Sequence, residues 1–258
     1  MLKAIARSLL FPQLREAFHR ARFGFRAFTH SNDLNQLALM FKTDKWGSHW
    51  YTQHYQRYFA RWRKRPLKIL EIGVGGYQDI SDGAQSLRMW KRFFPNSQIV
   101  GIDIYDKSHF SEPRIDVHQC DQTDAGRLTE ISARYGGFDI VIDDGSHLSE
   151  HVIQTFNILF PLLKTPGFYC IEDLQAAYWP TWGAVSGSTT MDMLRSLTDC
   201  VNQVERPCHE PNYLDQNITE IAFFHNLCII RKESNTEATN VPEHMEKERE
   251  SMKESRTS

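Results

Sequence analysis

Between Leu67 and Ile171 short apolar runs alternate with helix-period segments, and this alternation constrains the fold more than any single motif. Leu67-Lys-Ile-Leu-Glu-Ile, Gln98-Ile-Val-Gly-Ile-Asp-Ile, Arg114-Ile-Asp-Val-His, Phe138 to Ile142 and Phe168 to Ile171 read as strands. Between them, Ser86-Leu-Arg-Met-Trp-Lys-Arg-Phe-Phe places Leu87, Trp90 and Phe94 on one helical face, and Ala125 to Tyr135 and Glu150 to Leu163 read as further helices. Strands that alternate with helices form a parallel sheet covered on both faces. Later, Ile218-Thr-Glu-Ile-Ala-Phe-Phe and Leu227-Cys-Ile-Ile flank the dipeptide His225-Asn226, which predicts a closing antiparallel hairpin. The expectation is an α/β fold of Rossmann type, mostly parallel, with an antiparallel hairpin at its carboxyl end.

Composition narrows the class. With 258 residues the chain can bury one sizeable core. Its 30 basic and 32 acidic residues nearly cancel, so it lacks the basic footprint of a nucleic-acid binder. The 5 cysteines, Cys120, Cys170, Cys200, Cys208 and Cys228, are scattered without a C-x-x-C pair. They indicate neither a disulfide framework nor a zinc site, and a cytoplasmic location is expected. No apolar run approaches the roughly 20 residues needed to span a bilayer. Residues 1–42 read as a basic helical extension in which Arg7, Arg15, Arg20, Arg22 and Arg26 interleave with apolar residues. The simpler role for it is packing on the domain or on a second copy of the chain, and the alternative is a targeting or membrane-surface element; no signal peptide is expected. Residues 43–232 form the expected catalytic domain. From Glu233 the composition turns polar and charged, so residues 233–258 are expected to be a disordered tail.

Chemistry-bearing residues gather at the carboxyl ends of the expected strands, where open α/β sheets bind ligands. After the first strand comes Glu71-Ile-Gly73-Val-Gly75-Gly76. The glycines permit a sharp turn and close ligand approach, and the preceding carboxylate suits a ligand carrying positive charge better than a pyrophosphate. Gln78 stands where the dinucleotide fingerprint G-x-G-x-x-G has its third glycine, which counts against nicotinamide binding. Asp103 after the second strand can accept ribose hydroxyls, and Asp121 and Gln122 after the third offer an acceptor and an amide to an adenine amino group. The fourth strand runs into Asp143-Asp144-Gly-Ser-His147 and the fifth into Glu172-Asp173, two acidic tips with a histidine between them.

These residues resemble class I S-adenosylmethionine-dependent methyltransferases. More narrowly, Thr43-Asp-Lys-Trp-Gly-Ser-His49, Leu70 to Tyr77, Ser86 to Lys91, Gly101 to Lys107, Ile142-Asp-Asp-Gly-Ser-His147, Ile171-Glu-Asp173 and Tyr178-Trp-Pro180 resemble the magnesium-dependent macrolide sugar O-methyltransferases of the mycinamicin 2''-O-methyltransferase type. The resemblance runs from about Thr43 to Gly183. It implies that Glu71, Gly73, Gly75 and Asp103 hold the methionyl and ribose parts of S-adenosylmethionine, with Asp121 and Gln122 at the adenine and Asp143 also on the cofactor side. It implies Asp144, Glu172 and Asp173 as Mg2+ ligands and His147 as general base. The implied acceptor is a hydroxyl of a sugar-bearing or polyhydroxylated small molecule in natural-product biosynthesis.

Simpler roles exist for each group. Asp143 and Asp144 can cap the turn and helix that follow, His147 can be a solvated surface histidine, and Glu172 and Asp173 can merely solvate a strand end. Tyr178, Trp179 and Trp182 either wall an acceptor pocket or pack as a lid. Lys45, His49, Tyr51 and His54 are expected over the cofactor. The competing functions are a nicotinamide-dependent oxidoreductase and a cofactor-binding subunit without catalysis.

Overall fold

The structure, a computed structural model, describes residues 15, 17–18, 21–180, 182, 187–206, 209–242 and 245. The chain divides into two compact units, Met1–Pro66 with Ala84–Ser97, and Leu67–Gly83 with Gln98–Ser258. The boundary expected after residue 42 therefore falls inside the first unit.

That first unit is helical: α1 (described over residues 21–29), α2 (Leu34–Phe41), α3 (Thr52–Phe59) and α4 (Gln85–Phe93). Helix α2 begins where the Asp33 carboxylate accepts the Gln36 N–H at 3.0 Å, satisfying one of the four donors a helix start leaves open. Helices α3 and α4 meet through aromatic rings, with Tyr55 stacked on Phe59 at 5.2 Å and edge-on to Trp90 at 5.4 Å. Leu87, Trp90 and Phe94, the expected apolar face, are all fully buried. Each such side chain contributes about 1.5–3 kcal/mol by leaving water. Lys45 and Tyr51 are also buried here, and His49 stacks on Tyr51 at 4.8 Å. Arg7, Arg20 and the start of the basic extension lie outside the described residues; on α1, Phe25 and Phe28 are exposed.

The second unit is built on seven strands, β1 (Lys68–Ile72), β2 (Gln98–Asp103), β3 (Ile115–Gln119), β4 (Phe138–Asp143), β5 (Leu163–Ile171), β6 (Ile218–Phe224) and β7 (Leu227–Lys232). Their order across the sheet is β3-β2-β1-β4-β5-β7-β6, with the first five parallel and β7 antiparallel to both neighbours. The expected fold class holds, and the expected hairpin turns at His225-Asn226, with Asn226 in the left-handed region at φ 61°. Chain order reverses at β1, which has β2 on one side and β4 on the other. The crevice beyond the carboxyl ends of these strands is where such a sheet takes a ligand.

Helices α5 (Ala125–Tyr135), α6 (Ser149–Leu162) and α7 (Thr190–Val201) share a core with the sheet. Strand periodicity supplies Leu70, Ile72, Val100, Ile102, Val141, Tyr169 and Ile171, and the helices add Leu128, Ile131, Val152, Phe156, Leu159, Leu194 and Leu197. A short α8 (Tyr213–Asn217) precedes β6. Past Glu233, where the polar composition begins, residues 233–242 form neither helix nor strand yet are tied down. The Glu233 N–H donates to Asn217 O at 3.0 Å and the Asn235 N–H to Gln216 O at 2.9 Å, while the Asn240 N–H reaches Glu205 Oε1 at 2.8 Å. Hydrogen bonds to two main-chain carbonyls and one carboxylate, which composition does not reveal, hold this stretch. Residues 246–258 lie outside the described residues. Among the described residues no helix is long and apolar enough to cross a membrane.

Candidate active site and metal centre

Strand β1 leaves the sheet at Gly73, whose N–H donates to Ile102 O at 2.8 Å. Gly73 has φ +88°, and a Cβ there would collide with the carbonyl oxygen of Asp144, so only glycine lets the exits of β1 and β4 lie this close. The Asp144 N–H in turn donates to Ile72 O at 3.0 Å. One residue on, the Val74 N–H donates to Asp103 Oδ2 at 3.0 Å, and the Tyr105 N–H donates to Asp103 Oδ1 at 2.9 Å. Asp103 thus bridges the exits of β1 and β2. Glu71 lies fully buried in β1. Lys107, not singled out in the sequence, is buried with its ammonium on Gly75 O and 3.9 Å from Asp103 Oδ2. In the sequence it closes the Gly101 to Lys107 block, four positions beyond the β2 acid, with no role attached.

The exits of β3 and β4 depart from expectation. Asp121 is exposed, and the N–H and hydroxyl of Thr123, both 2.8 Å from its Oδ1, hold its carboxyl below the usual range. Gln122 is buried instead of presented: its Oε1 accepts the Ser146 N–H at 2.7 Å and its Nε2 donates to Thr155 Oγ1 at 3.1 Å. Both ends of the amide expected to read an adenine are occupied in fixing the loop after β4. Asp143 lies on the same pleat face as Val141 and is buried beside Tyr169, whose hydroxyl is 3.4 Å from its Oδ2. Burial pushes its carboxyl up to about 7, against the lowering effect of the Gly145 N–H.

The residues that do converge are Asp144, His147 and Asp173. One ligand-grade atom from each lies within 4.8 Å of the others. His147 Nε2 is 3.5 Å from Asp173 Oδ2, with side chains 21% and 19% exposed, so both are reachable from solvent without being fully hydrated. Each sits on left-handed backbone, His147 at φ 59° two residues before α6 and Asp173 at φ 54° just past β5. Such conformations cost non-glycine residues about 1–3 kcal/mol each and collect at functional sites. Trp182 lies beside this cluster, its ring centroid 6.4 Å from that of His147, and its carbonyl accepts the Ser149 N–H at 3.3 Å. Tyr178 and Trp179 are exposed. Glu172 stands outside the trio; it is buried, and its N–H donates to Asp143 O at 3.0 Å. The donor set fits a hard divalent cation. Two clustered carboxylates are stabilised by a positive charge between them, and carboxylate oxygen is the ligand Mg2+ prefers.

A mostly parallel sheet whose central strand exits through glycines beside an acid-tipped neighbour is a Rossmann-like methyltransferase fold. Comparison with known proteins narrows this. Demethylmacrocin O-methyltransferase of Streptomyces fradiae is 47% identical over 214 residues, covering 80% of this chain and 54% of that protein. Mycinamicin VI 2''-O-methyltransferase of Micromonospora griseorubida is 45% identical over the same length, with the same shares. Among solved structures, the MycE methyltransferase of the mycinamycin biosynthetic pathway, in complex with Mg, SAH and mycinamycin VI, matches with a TM-score of 0.78. The match has 44% identity over 85% of this chain and 59% of that one. The similarity to macrolide sugar O-methyltransferases read from the motifs is therefore borne out, and the chain spans about half the length of the curated relatives it matches. No family model matches.

Proposed function

We propose that this chain is an S-adenosylmethionine-dependent, Mg2+-assisted O-methyltransferase that methylates a hydroxyl on the sugar of a glycosylated small molecule in natural-product biosynthesis. The observation that carries this reading is the abutment of two exits: the glycine turn after β1 touches the main chain of Asp144, which heads the Asp144, His147 and Asp173 cluster. Similarity to sugar O-methyltransferases supports the same reaction class.

Glu71, Gly73, Gly75 and Asp103 would hold the donor, with Asp121 at its adenine end. Asp144 and Asp173 would hold the metal, with Glu172 adjoining them. When bound, the two groups supply an activated methyl and a Lewis acid that lowers the pKa of a hydroxyl. The chain's own work is alignment and proton removal. His147 takes the hydroxyl proton at Nε2, and the carboxylate of Asp173, 3.5 Å away, stabilises the imidazolium that results. The Trp182 ring lies 6.4 Å from that of His147 and would form one wall beside it. Two protein carboxylates leave coordination positions for two neighbouring sugar hydroxyls, which is how this site would prefer a polyol over a lone alcohol. Among the described residues Cys120, Cys170, Cys200 and Cys228 are buried and free, which supports a reducing, cytoplasmic setting.

The decisive experiment is incubation with methyl-labelled S-adenosylmethionine, Mg2+ and a panel of glycosides, followed by mass spectrometry. Label on a sugar oxygen, lost when Mg2+ is chelated, is the expected result. Label on carbon or nitrogen, or none with any glycoside, would overturn the reading.

A further inference from the structure

The loop from Gly73 to Gly83 is folded back on itself. The Asp79 N–H donates to Gly76 O at 2.9 Å, and a Cβ on Gly76 would collide with the Asp82 carbonyl oxygen. Lys107 enters this loop from the β2 exit, and its side chain is wholly removed from solvent. Burying an ammonium is costly unless its protons have acceptors. Its three N–H donors face three oxygens: Gly75 O, Asp82 O at 3.3 Å, and Asp103 Oδ2 at 3.9 Å. Asp103 Oδ2 also accepts the Val74 N–H, so one cation ties both limbs of the loop to the acid at the end of β2.

We propose that Lys107 is a positioning residue of the donor site, whose buried ammonium sets the shape of the glycine loop and thereby the affinity for the donor's methionyl and ribose parts. The inference rests on reading the glycine exit as the donor site. Gly75, at φ 79°, has the wide backbone freedom of glycine, so its carbonyl takes its direction from the group that bonds it, and Lys107 donates to that oxygen. The ammonium also lies 3.9 Å from Asp103 Oδ2, so that carboxylate is held by a cation as well as by the Val74 and Tyr105 N–H groups. Removal of the ammonium frees two loop carbonyls to turn and leaves Asp103 held by its main-chain donors alone. Metal ligation at Asp144 and Asp173 does not pass through Lys107.

The test uses K107M, which keeps most of the stem and removes every donor, and K107Q, which keeps a neutral donor. Calorimetric titration with S-adenosylhomocysteine is expected to show about a tenfold or greater loss of affinity in K107M and a smaller loss in K107Q. The donor KM should rise in step, with kcat at saturating donor and Mg2+ affinity within about twofold of wild type. In the ligand-free protein the Val74 amide should exchange its hydrogen faster in K107M. Wild-type affinity for S-adenosylhomocysteine in a folded K107M overturns the proposal. So does an equal loss of Mg2+ affinity and melting temperature, which would make Lys107 a general stabiliser. If K107M does not fold, K107Q carries the test by the same criteria, and failure of both to fold assigns Lys107 to the fold alone. Absence of S-adenosylhomocysteine binding in wild type would instead overturn the donor-site reading, and Val74 exchange would still report on the clamp.

Discussion

His147 and Asp173 carry the proposed proton transfer and metal binding from backbone that few side chains adopt, and their surroundings hold them there. Replacement of His147 by alanine is expected to lower turnover by about 10²–10⁴-fold, the range a positioned base contributes, while S-adenosylhomocysteine and Mg2+ affinities stay near wild type. Calorimetry beside a turnover assay checks this, and a parallel loss of Mg2+ affinity would make the imidazole a ligand. A second expectation concerns Gly73. G73A should cost about 3 kcal/mol or prevent folding, because a positive φ and a collision with the Asp144 carbonyl act together; urea denaturation measures it. At this scale the acids at the tips of β4 and β5 were legible from the sequence, but the direction of each was not. Asp143 and Asp144 are neighbours, yet pleat parity sends the first under Tyr169 and the second to the cluster. The structural partners of Gln122, Ser146 and Thr155, were not legible either, since both are distant in sequence.

Among the elements, the end of α6 and the start of α8 show how buried charge is used for structure. Lys232 is buried, and its ammonium donates to Phe160 O at 2.9 Å, Pro161 O at 3.0 Å and Leu163 O at 2.6 Å, closing the carbonyl end of α6. K232M should destabilise the fold by about 2–3 kcal/mol by leaving those carbonyls unsatisfied, as read from denaturation midpoints. Asp215 in α8 is fully buried; its Oδ2 accepts the Asn212 N–H at 2.8 Å and lies 2.7 Å from His209 Nε2. Burial alone would raise its carboxyl, but the Asn212 N–H and His209 outweigh this and hold it below the usual range. A depressed folded value means that the group stabilises the fold above its unfolded pKa of about 4, and that this contribution is lost as pH falls through the folded value. D215N should therefore cost about 3 kcal/mol at neutral pH, with a gap to wild type that narrows on acidification below about pH 4 in a series of thermal melts. Helix α5 has the extent read from the sequence, Ala125 to Tyr135, and in the structure the Asp124 carboxylate caps its start while Gly136, in the left-handed region at φ 70°, ends it. Lys107 and Lys232 were not legible in the sequence, because a buried lysine is indistinguishable from a surface one until the carbonyls that enclose it are known.

For the whole molecule, the alternation of strand and helix was enough to anticipate the sheet and its hairpin, whereas the division after Pro66, with α4 returned to the first unit, was not. Helix α4 packs against α2 and meets α3 through the rings of Tyr55 and Phe59 on Trp90, contacts between residues far apart in the chain. The proposed occupants give a global test. S-adenosylhomocysteine at a hundred times its Kd should add about 2.7 kcal/mol of stability, with a separate increment from Mg2+. Chelation should remove the second increment and all turnover while leaving the first, as melting with and without chelator will show. Neighbouring strands in a sheet are about 4.8 Å apart, and the turn after β1 is wedged beneath the carbonyl of Asp144 with no hinge between them. For the proposed reaction the sheet would then be the ruler: the stroke from donor to acceptor would be set by the strand spacing, and differences between acceptors would be absorbed by the loops beyond that edge.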